Sequence, residues 1–385
     1  MKKITSSMIF ILTITTLLYS CRKDEIVVLS EENQIKGMSS SDGGSYSGLY
    51  LLNEGNMGSN KCTLDYLDFT NMTYSKNIYS ERNPNVVKEL GDVGNDIQIY
   101  GEKMYIVVNC SNKVEVINAH TGIRIGQVNI DNCRYVTFDG GYAYVSSYVA
   151  PVGIDPESPR GAVFKVDTMS LSIVSKVTVG YQPEEMTIKD GKLYVANSGG
   201  YCAPDYDNTV SVVDLSTMKQ IRKIVVAKNL HHIKRDHYGQ LWVTSRGDMD
   251  TIPSRLFVLT ANASGDLSVS DTIATPCSDL SIIGDSLYYF AYLYNSSTAS
   301  NKVKYGIINI KTHTEVSSDF ITDGTESSIT IPYSIMVHPD THDIYITDAK
   351  NYVSSGVLNC YSVQGKLKWK TITGDIPAHI TLLKK

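Results

Sequence analysis

Several histidines and carboxylates occupy equivalent positions of a repeat in this sequence. A cluster of such side chains could bind a metal ion or transfer protons. The candidates are His231, His232, His379, Asp96, Glu184, Glu185 and Asp279. No local metal signature accompanies them, because the chain has no His-x-x-x-His on a predicted helix, no Cys-x-x-Cys and no acidic calcium loop. We therefore predict no metal site, and we interpret the histidines as hydrogen-bonding residues.

Nucleophilic chemistry has no sequence support either. Ser198 lacks the glycine two residues before it that a nucleophile elbow requires. Arg246 begins an Arg-Gly-Asp triplet, which we interpret as an ordinary loop because three residues recur by chance. We predict no catalytic residues, no cofactor and no enzymatic activity.

The elements that would position these side chains are most visible between Tyr181 and Val226. Four short apolar runs follow one another there, and Asp190-Gly191, a tight-hairpin dipeptide, separates the first two. Tyr and β-branched residues dominate the runs, as is typical of strands. The stretch is therefore a four-stranded antiparallel unit, and its second strand recurs seven times, with aromatic residues at positions 50, 105, 144, 194, 242, 288 and 345. Their spacing of 39 to 57 residues is typical of propeller blades.

The first repeat lacks the strand that precedes the aromatic one in the six others. The chain ends with an unassigned strand, Pro377–Leu383, which can complete the first blade and so remove the exposed edges of an open array. We predict an all-β fold, a seven-bladed β-propeller over residues 47–385, with four-stranded antiparallel blades closed by the C-terminal strand. An open β-solenoid would leave the missing strand unexplained.

The N-terminus is typical of an export signal. Lys2 and Lys3 precede a short apolar stretch, and Leu18–Cys21 resembles a bacterial lipobox. By that resemblance residues 1–20 are a signal peptide, Cys21 is acylated, and the acidic residues just after it indicate export to the cell surface. We predict that residues 21–46 form a flexible tether. Without the signal, 33 bases face 40 acids, a net charge of −7 with no basic block, which argues against a nucleic-acid partner.

The predicted binding site lies on the propeller face that carries the long loops. These loops are Ser146–Gly161, Asn197–Asn208, Ser245–Ser254, Ala291–Lys302 and Thr347–Gly356. Loop tyrosines and the residues that begin the inner strands would surround the central axis, where different polar groups suit an asymmetric ligand. The candidate ligand-binding residues are Asn95, Asp96, Arg134, Tyr135, Tyr148, Glu184, Glu185, Tyr201, Tyr206, His231, His232, Tyr333 and His379. A water-filled polar channel is the alternative.

Six cysteines remain after Cys21, and an exported protein can form disulfides. Cys110 and Cys133 fall near the same face in neighbouring blades, which makes them the candidate pair. Buried free thiols are the default for the others.

Several stretches carry a family resemblance. The repeats, such as Lys192–Asn197 with Val210–Asp214, are similar to the YncE or surface-layer type of propeller. Longer stretches resemble the cell-surface cobalamin-binding lipoproteins called BtuG, namely Asn53–Asn60, Gly91–Gln98, Tyr181–Met186, Phe320–Thr325, Thr347–Val353 and Thr373–His379. The resemblance implies an outer-membrane, lipid-anchored protein that captures cobalamin or another corrinoid and passes it to a TonB-dependent transporter. A glycan- or peptide-binding propeller, and a transporter-associated scaffold without a small ligand, are the alternatives.

Overall fold

Strands alternate with tight turns throughout residues 29–86, 89–295 and 300–385, which are the part of the chain that the computed structural model describes. At Asp190-Gly191 both residues have positive φ angles, 50° and 70°, which is the backbone of a two-residue hairpin turn. The strands form seven antiparallel sheets, each of them one blade of a β-propeller. This confirms the predicted fold class.

The first blade is built from both ends of the described chain. Its strands are β1 (Glu31–Gln34), β2 (Tyr46–Asn53), β3 (Thr63–Asp68), β4 (Thr73–Lys76) and, from the C-terminus, β29 (Pro377–Lys384). β29 pairs antiparallel with β2, as the predicted ring closure requires. A short helix, α1 (Ile78–Arg82), leads to the second blade.

Each of the other six blades has four strands, ordered along the chain from the central axis outwards. Blade 2 contains β5 (Gly94–Tyr100), β6 (Lys103–Val108), β7 (Lys113–Asn118) and β8 (Arg124–Asn129). Blade 3 contains β9 (Cys133–Asp139), β10 (Tyr142–Ser147), β11 (Ala162–Asp167) and β12 (Ile173–Thr178). Blade 4 contains β13 (Pro183–Lys189), β14 (Lys192–Asn197), β15 (Thr209–Asp214) and β16 (Lys219–Val225).

The remaining three blades follow the same order. Blade 5 contains β17 (Leu230–Arg235), β18 (Leu241–Ser245), β19 (Arg255–Ala261) and β20 (Leu267–Ile273). Blade 6 contains β21 (Asp279–Ile283), β22 (Ser286–Asn295), β23 (Ser300–Asn309) and β24 (Thr314–Ser317). Blade 7 contains β25 (Pro332–Val337), β26 (Ile344–Asp348), β27 (Ser355–Tyr361) and β28 (Leu367–Asp375). Single 3₁₀ turns lie at Ser40–Gly43, Gly200–Cys202 and Thr325–Ser328.

The hydrophobic core is divided among the interfaces between neighbouring blades. The recurring aromatic residue of each second strand packs into the cluster shared with the following blade: Tyr50 with blade 2, Tyr105 with blade 3, Tyr144 with blade 4, Tyr194 with blade 5, Trp242 with blade 6, Tyr288 with blade 7 and Tyr345 with blade 1. The aromatic residue that recurs in the sequence therefore fills the same position in each interface between blades. Ring closure buries the last of these interfaces.

Two expectations about loops and termini are wrong. Residues 30–46 were expected within a flexible tether, but β1 pairs with β4, and Ile35 and Met38 are buried in the interface between blades 7 and 1. Asp42 lies 3.0 Å from the Lys368 ammonium of blade 7, which fixes the segment across that seam. Within the expected loop Ala291–Lys302, the described residues 291–295 and 300–302 instead extend the β22–β23 hairpin. The signal peptide and Cys21 lie outside the described residues.

The six cysteines after Cys21 are free thiols, so the candidate Cys110–Cys133 disulfide is absent from the structure. The Cys133 thiol lies 3.3 Å from the carbonyl oxygen of Lys113, in the interface between blades 2 and 3. Burial raises the pKa of Cys133 to about 12 and that of Cys110 to about 11. Among the described residues, no helix has the length and apolar character that crossing a bilayer requires.

Candidate functional site

A cavity of about 1140 Å³ lies on the central axis, where the inner strands of the blades begin. Its wall continues on the same face of blades 5, 6 and 7. It includes Tyr292 and Leu293 on the extended strand β22, and the loop residues Arg246, Met249, Asp250, Ile252, Pro253, Ser254 and Tyr352. The cavity therefore opens on the face that carries the long loops, as predicted from the loop lengths.

A repeated backbone conformation directs the second residue of most inner strands towards this cavity. Two positions before it stands a residue with positive φ: Val93, Asn132, Gln182, Asn229 and Ile376. The carbonyl oxygen of that residue accepts a hydrogen bond from the first residue after the second strand of the same blade, as Asn132 does from Tyr148. In these five blades the bond holds two positions together near the mouth, the second residue of the inner strand and the first residue after the second strand.

Most of the predicted binding residues line the cavity. They are Asn95, Asp96, Arg134, Tyr135, Glu185, His231, His232, Tyr333 and His379. Four others do not: Tyr148, Glu184, Tyr201 and Tyr206. Tyr148 and Glu184 are buried behind the wall, and Tyr201 packs edge-on against the Tyr148 ring at 5.0 Å. Tyr206 is half-buried in the same long loop as Tyr201.

Glu184 is the buried centre of a charged cluster on one side of the mouth. Its carboxylate accepts a hydrogen bond from Arg134 Nε at 3.1 Å and from the Tyr148 hydroxyl at 2.6 Å. Arg246 Nη1 lies 3.6 Å from the same carboxylate. Burial opposes ionisation of Glu184, but the two guanidinium groups outweigh it and lower its pKa. The same ion pair raises the pKa of Arg134 against its own desolvation.

Hydrogen-bonded side-chain pairs make up other parts of the mouth. Tyr333 donates its hydroxyl proton to Glu54 over 2.6 Å, and burial raises the pKa of the Glu54 carboxyl. The Tyr135 hydroxyl lies 2.9 Å from His231 Nε2. Burial, followed by the charge of Arg246, lowers the pKa of His231 well below its ordinary value, so this imidazole is neutral at pH 7.

One layer below the mouth, three carboxylates join neighbouring blades. Asp96 accepts the backbone N–H of Val136 at 2.9 Å, and Asp279 accepts that of Ile335 at 3.0 Å. Glu185 accepts that of Ile233 at 3.1 Å. These bonds link blade 2 to 3, 4 to 5 and 6 to 7, so the three acids hold the ring together as well as lining the channel.

The carboxylates of this layer differ in their charge state because their partners differ. Burial raises the pKa of Asp96 to about 6. Burial acts on Glu185 in the same direction, but Lys234 and His232, whose nitrogens lie 2.5 and 3.0 Å from its oxygens, hold its pKa at about 2. Burial also lowers the pKa of the nearby His379 to about 3. Among the described residues, no group of three or more His, Cys, Asp or Glu side chains is arranged to hold a metal ion.

Glu54 and Arg246 line the cavity but were missed as candidates. Both directly follow a second strand, the position that Tyr148 occupies in blade 3, so aligning that position across the blades would have found them. Arg246 belongs to the triplet that was interpreted as an ordinary loop. Tyr292 and Tyr352 also line the cavity, and both belong to the stretches predicted as tyrosine-bearing long loops; Tyr292 lies on the extended strand β22 instead.

Comparison with known proteins places the chain in a family without assigning an activity. Residues 47–371 match the family model described as "Domain of unknown function (DUF5074)". No curated protein matches the chain.

Three solved structures illustrate the likeness in fold. A periplasmic gluconolactonase from Pseudomonas aeruginosa is 11% identical with a TM-score of 0.59, covering 87% of this chain and 99% of that one. A quinonprotein alcohol dehydrogenase-like protein from Bacteroides thetaiotaomicron is 13% identical with a TM-score of 0.56, covering 88% and 78%. A functionally unknown protein from Desulfotomaculum acetoxidans is 9% identical with a TM-score of 0.57, covering 88% and 99%. At these identities the likeness concerns the fold alone.

Proposed function

The chain belongs to the DUF5074 family, and we propose that this member captures a corrinoid such as cobalamin in its central cavity. The size of that cavity carries the proposal. Ordinary small-molecule sites occupy about 300–1,000 Å³, and about 1140 Å³ lies at the upper end of this range or beyond it. The ligand is therefore larger than a typical metabolite, and its many polar groups must meet a wall of mixed character.

The lining suits the two kinds of surface that a corrinoid offers. Tyr333 and Tyr352 meet edge-on, with ring centroids 6.0 Å apart, and form an aromatic wall for the apolar edges of the macrocycle. Asn95, Arg134 and His231 supply donors and acceptors for its amide arms. Because these side chains stand on strand starts in a closed ring, the site is largely preformed, which lowers the entropic cost of binding.

The acids in and directly behind the cavity wall favour binding over catalysis. Glu184 is buried between two guanidinium groups, and Asp96 and Asp279 are occupied by backbone N–H groups of the next blade. A general acid or base must reach a bound substrate, and these carboxylates are held by the scaffold instead. We therefore propose a binding protein without enzymatic activity or catalytic cofactor.

We further propose that the protein is anchored at the outer surface through Cys21 and hands its ligand to a TonB-dependent transporter. The loop tips of the cavity face support contact with a protein partner. Exposed apolar side chains stand on loops of four blades, at Met57, Ile154, Met249 and Val353, and on the extended strand β22 of blade 6, at Leu293. Exposed apolar surface is typical of interaction sites where it is contiguous.

Calorimetric titration of the purified protein with cyanocobalamin tests the capture role. We expect one-to-one binding, accompanied by a change in corrinoid absorbance. Tyr352→Ala, which removes one aromatic wall, should weaken binding about tenfold, as loss of an aromatic contact at an interface commonly does. Tyr238→Ala is the matched control, because Tyr238 is similarly exposed but lies in a turn away from the cavity.

Absence of any heat or spectral change would refute corrinoid capture. Binding that Tyr352→Ala and Tyr238→Ala weaken equally would refute the placement of the ligand in the cavity. If the protein binds a polysaccharide or a peptide but does not bind cobalamin, the alternative of a glycan- or peptide-binding propeller replaces the proposal.

A further inference from the structure

Two guanidinium groups from different blades converge on one wall of the cavity. Arg134 extends from the start of β9 in blade 3, and Arg246 follows β18 in blade 5. Between them Glu184 of blade 4 pairs with both, at 3.1 Å from Arg134 Nε and 3.6 Å from Arg246 Nη1. The ring geometry therefore brings together two cations that lie 112 residues apart in the sequence.

The positive charges face the cavity while their counter-ion does not. The Arg134 and Arg246 side chains are 18% and 37% exposed and line the cavity, whereas the Glu184 side chain is 1% exposed and lies behind them. The two cations share one carboxylate in direct contact, Glu184, while Glu54 acts on both of them only at longer range. A ligand entering the cavity meets these cations directly.

Most of the guanidinium donors on this wall have no protein acceptor. A guanidinium carries five N–H donors, and Glu184 accepts one hydrogen bond, from Arg134 Nε. In the described ranges, no hydrogen bond joins either arginine side chain to another acceptor, and Glu54 interacts with both guanidinium groups only through longer-range electrostatics. Glu54 is engaged by the Tyr333 hydroxyl instead.

We propose that Arg134 and Arg246 form a clamp for a singly charged oxyanion of the ligand, of the phosphodiester class. The clamp rests on the proposed ligand capture and specifies which part of the ligand sits on which wall. In a nucleotide-bearing corrinoid this group is the phosphodiester of the nucleotide loop. Guanidinium donors lie in a plane that matches two oxygens of one phosphate, so the pair supplies orientation as well as charge.

A comparison of two ligands and three proteins tests the clamp. The ligands are cyanocobalamin, which contains the phosphodiester, and dicyanocobinamide, which lacks the nucleotide loop. The proteins are the wild type, Arg246→Gln and Arg160→Gln. Arg160 is the matched control, because it is an exposed arginine on a long loop of the same face outside the cavity. Arg246 is the position to change because Glu184 keeps its bonds to Arg134 and Tyr148, so the fold is retained.

We expect Arg246→Gln to weaken cyanocobalamin binding about tenfold to a hundredfold, the range for charge-assisted hydrogen bonds. Dicyanocobinamide binding should change less than threefold, and Arg160→Gln should affect neither ligand. Arg246→Lys keeps the charge but loses the planar fork, so it should restore only part of the affinity.

Equal weakening of both ligands by Arg246→Gln would overturn the clamp while leaving corrinoid capture intact. If neither corrinoid binds the wild type, the proposed function fails. Binding of dimethyl phosphate, a small phosphodiester, then tests the clamp independently of corrinoid capture. Shifts in the protein NMR spectrum that depend on Arg246 and diminish with added salt would support the clamp. Their absence would overturn it.

Discussion

Replacing Glu185 by Gln should destabilise the propeller in a way that depends strongly on pH. The Glu185 carboxylate accepts the backbone N–H of Ile233 in the next blade, and it pairs with Lys234 and His232. Burial disfavours its charge, but these partners hold its pKa at about 2, compared with an ordinary value of 4.5. Its side chain is only 12% exposed, so solvent screens the interaction little.

The size and direction of the effect follow from linkage. A carboxyl whose pKa is lower in the folded than in the unfolded state stabilises the fold fully above its unfolded pKa and loses that contribution as the pH falls toward the folded pKa. A difference from 4.5 to about 2 corresponds to about 3 kcal/mol at pH 7. By pH 3.5 about 1.4 kcal/mol of this is lost. Glu185→Gln should therefore be about 3 kcal/mol less stable than wild type at pH 7 and closer to it at pH 3.5.

Urea unfolding of both proteins at pH 7, 5.5, 4.5 and 3.5 measures this difference. Glu157→Gln is the control, because Glu157 is exposed in a loop and should change the free energy of unfolding by less than about 0.5 kcal/mol at every pH. A difference between wild type and Glu185→Gln that is small at pH 7, or that does not shrink on acidification, would refute the reasoning.

Two further predictions concern the closing seam and the thiols. Asp42→Asn removes the ion pair with Lys368 and weakens the turn at Ser40–Gly43. The free energy of unfolding, measured by heat or urea, should therefore fall by about 1–2 kcal/mol. An unchanged unfolding midpoint would contradict a role for this segment in ring closure. Of the six cysteines after Cys21, a thiol reagent at pH 8 should modify no more than Cys110 in the folded protein. Reducing agent should leave the melting temperature unchanged, because these six cysteines form no disulfide. Fast labelling of several of these thiols would contradict their burial.

The fold was predictable because one packing event repeats seven times. Each blade places one large ring, such as Tyr144 or Trp242, in the interface with the following blade, so the sequence must repeat an aromatic residue at blade spacing. Closure was predictable for a related reason, since an unpaired inner strand at the C-terminus can only pair with β2. In contrast, the N-terminal segment looked like a tether because it is polar, and among its described residues few apolar side chains, such as Ile35 and Met38, are buried in the seam.

The candidate site was predictable only where it follows the strands. Inner-strand starts align from blade to blade, so residues such as Asn95 and His231 were found. Glu54 and Arg246 directly follow second strands, so the repeat shows their common position only when it is extended one residue past the strand. In the structure, backbone bonds to Ile376 and Asn229 mark that position. The sequence pattern predicts which residues occupy equivalent positions along the strands. Which loop residues meet across the axis depends on the geometry of the closed ring.

The two layers around the axis divide stability and recognition between adjacent residues of the same strands. In the lower layer, side chains such as Asp96, Glu185 and Asp279 accept backbone N–H groups of the next blade, so their identity is constrained by the ring itself. In the mouth layer, residues such as His231 and Tyr333 bond to other side chains rather than to that backbone. Substitutions in the mouth can therefore change the ligand without opening the ring, and a fold of this kind can serve ligands of different chemistry with the same seven blades.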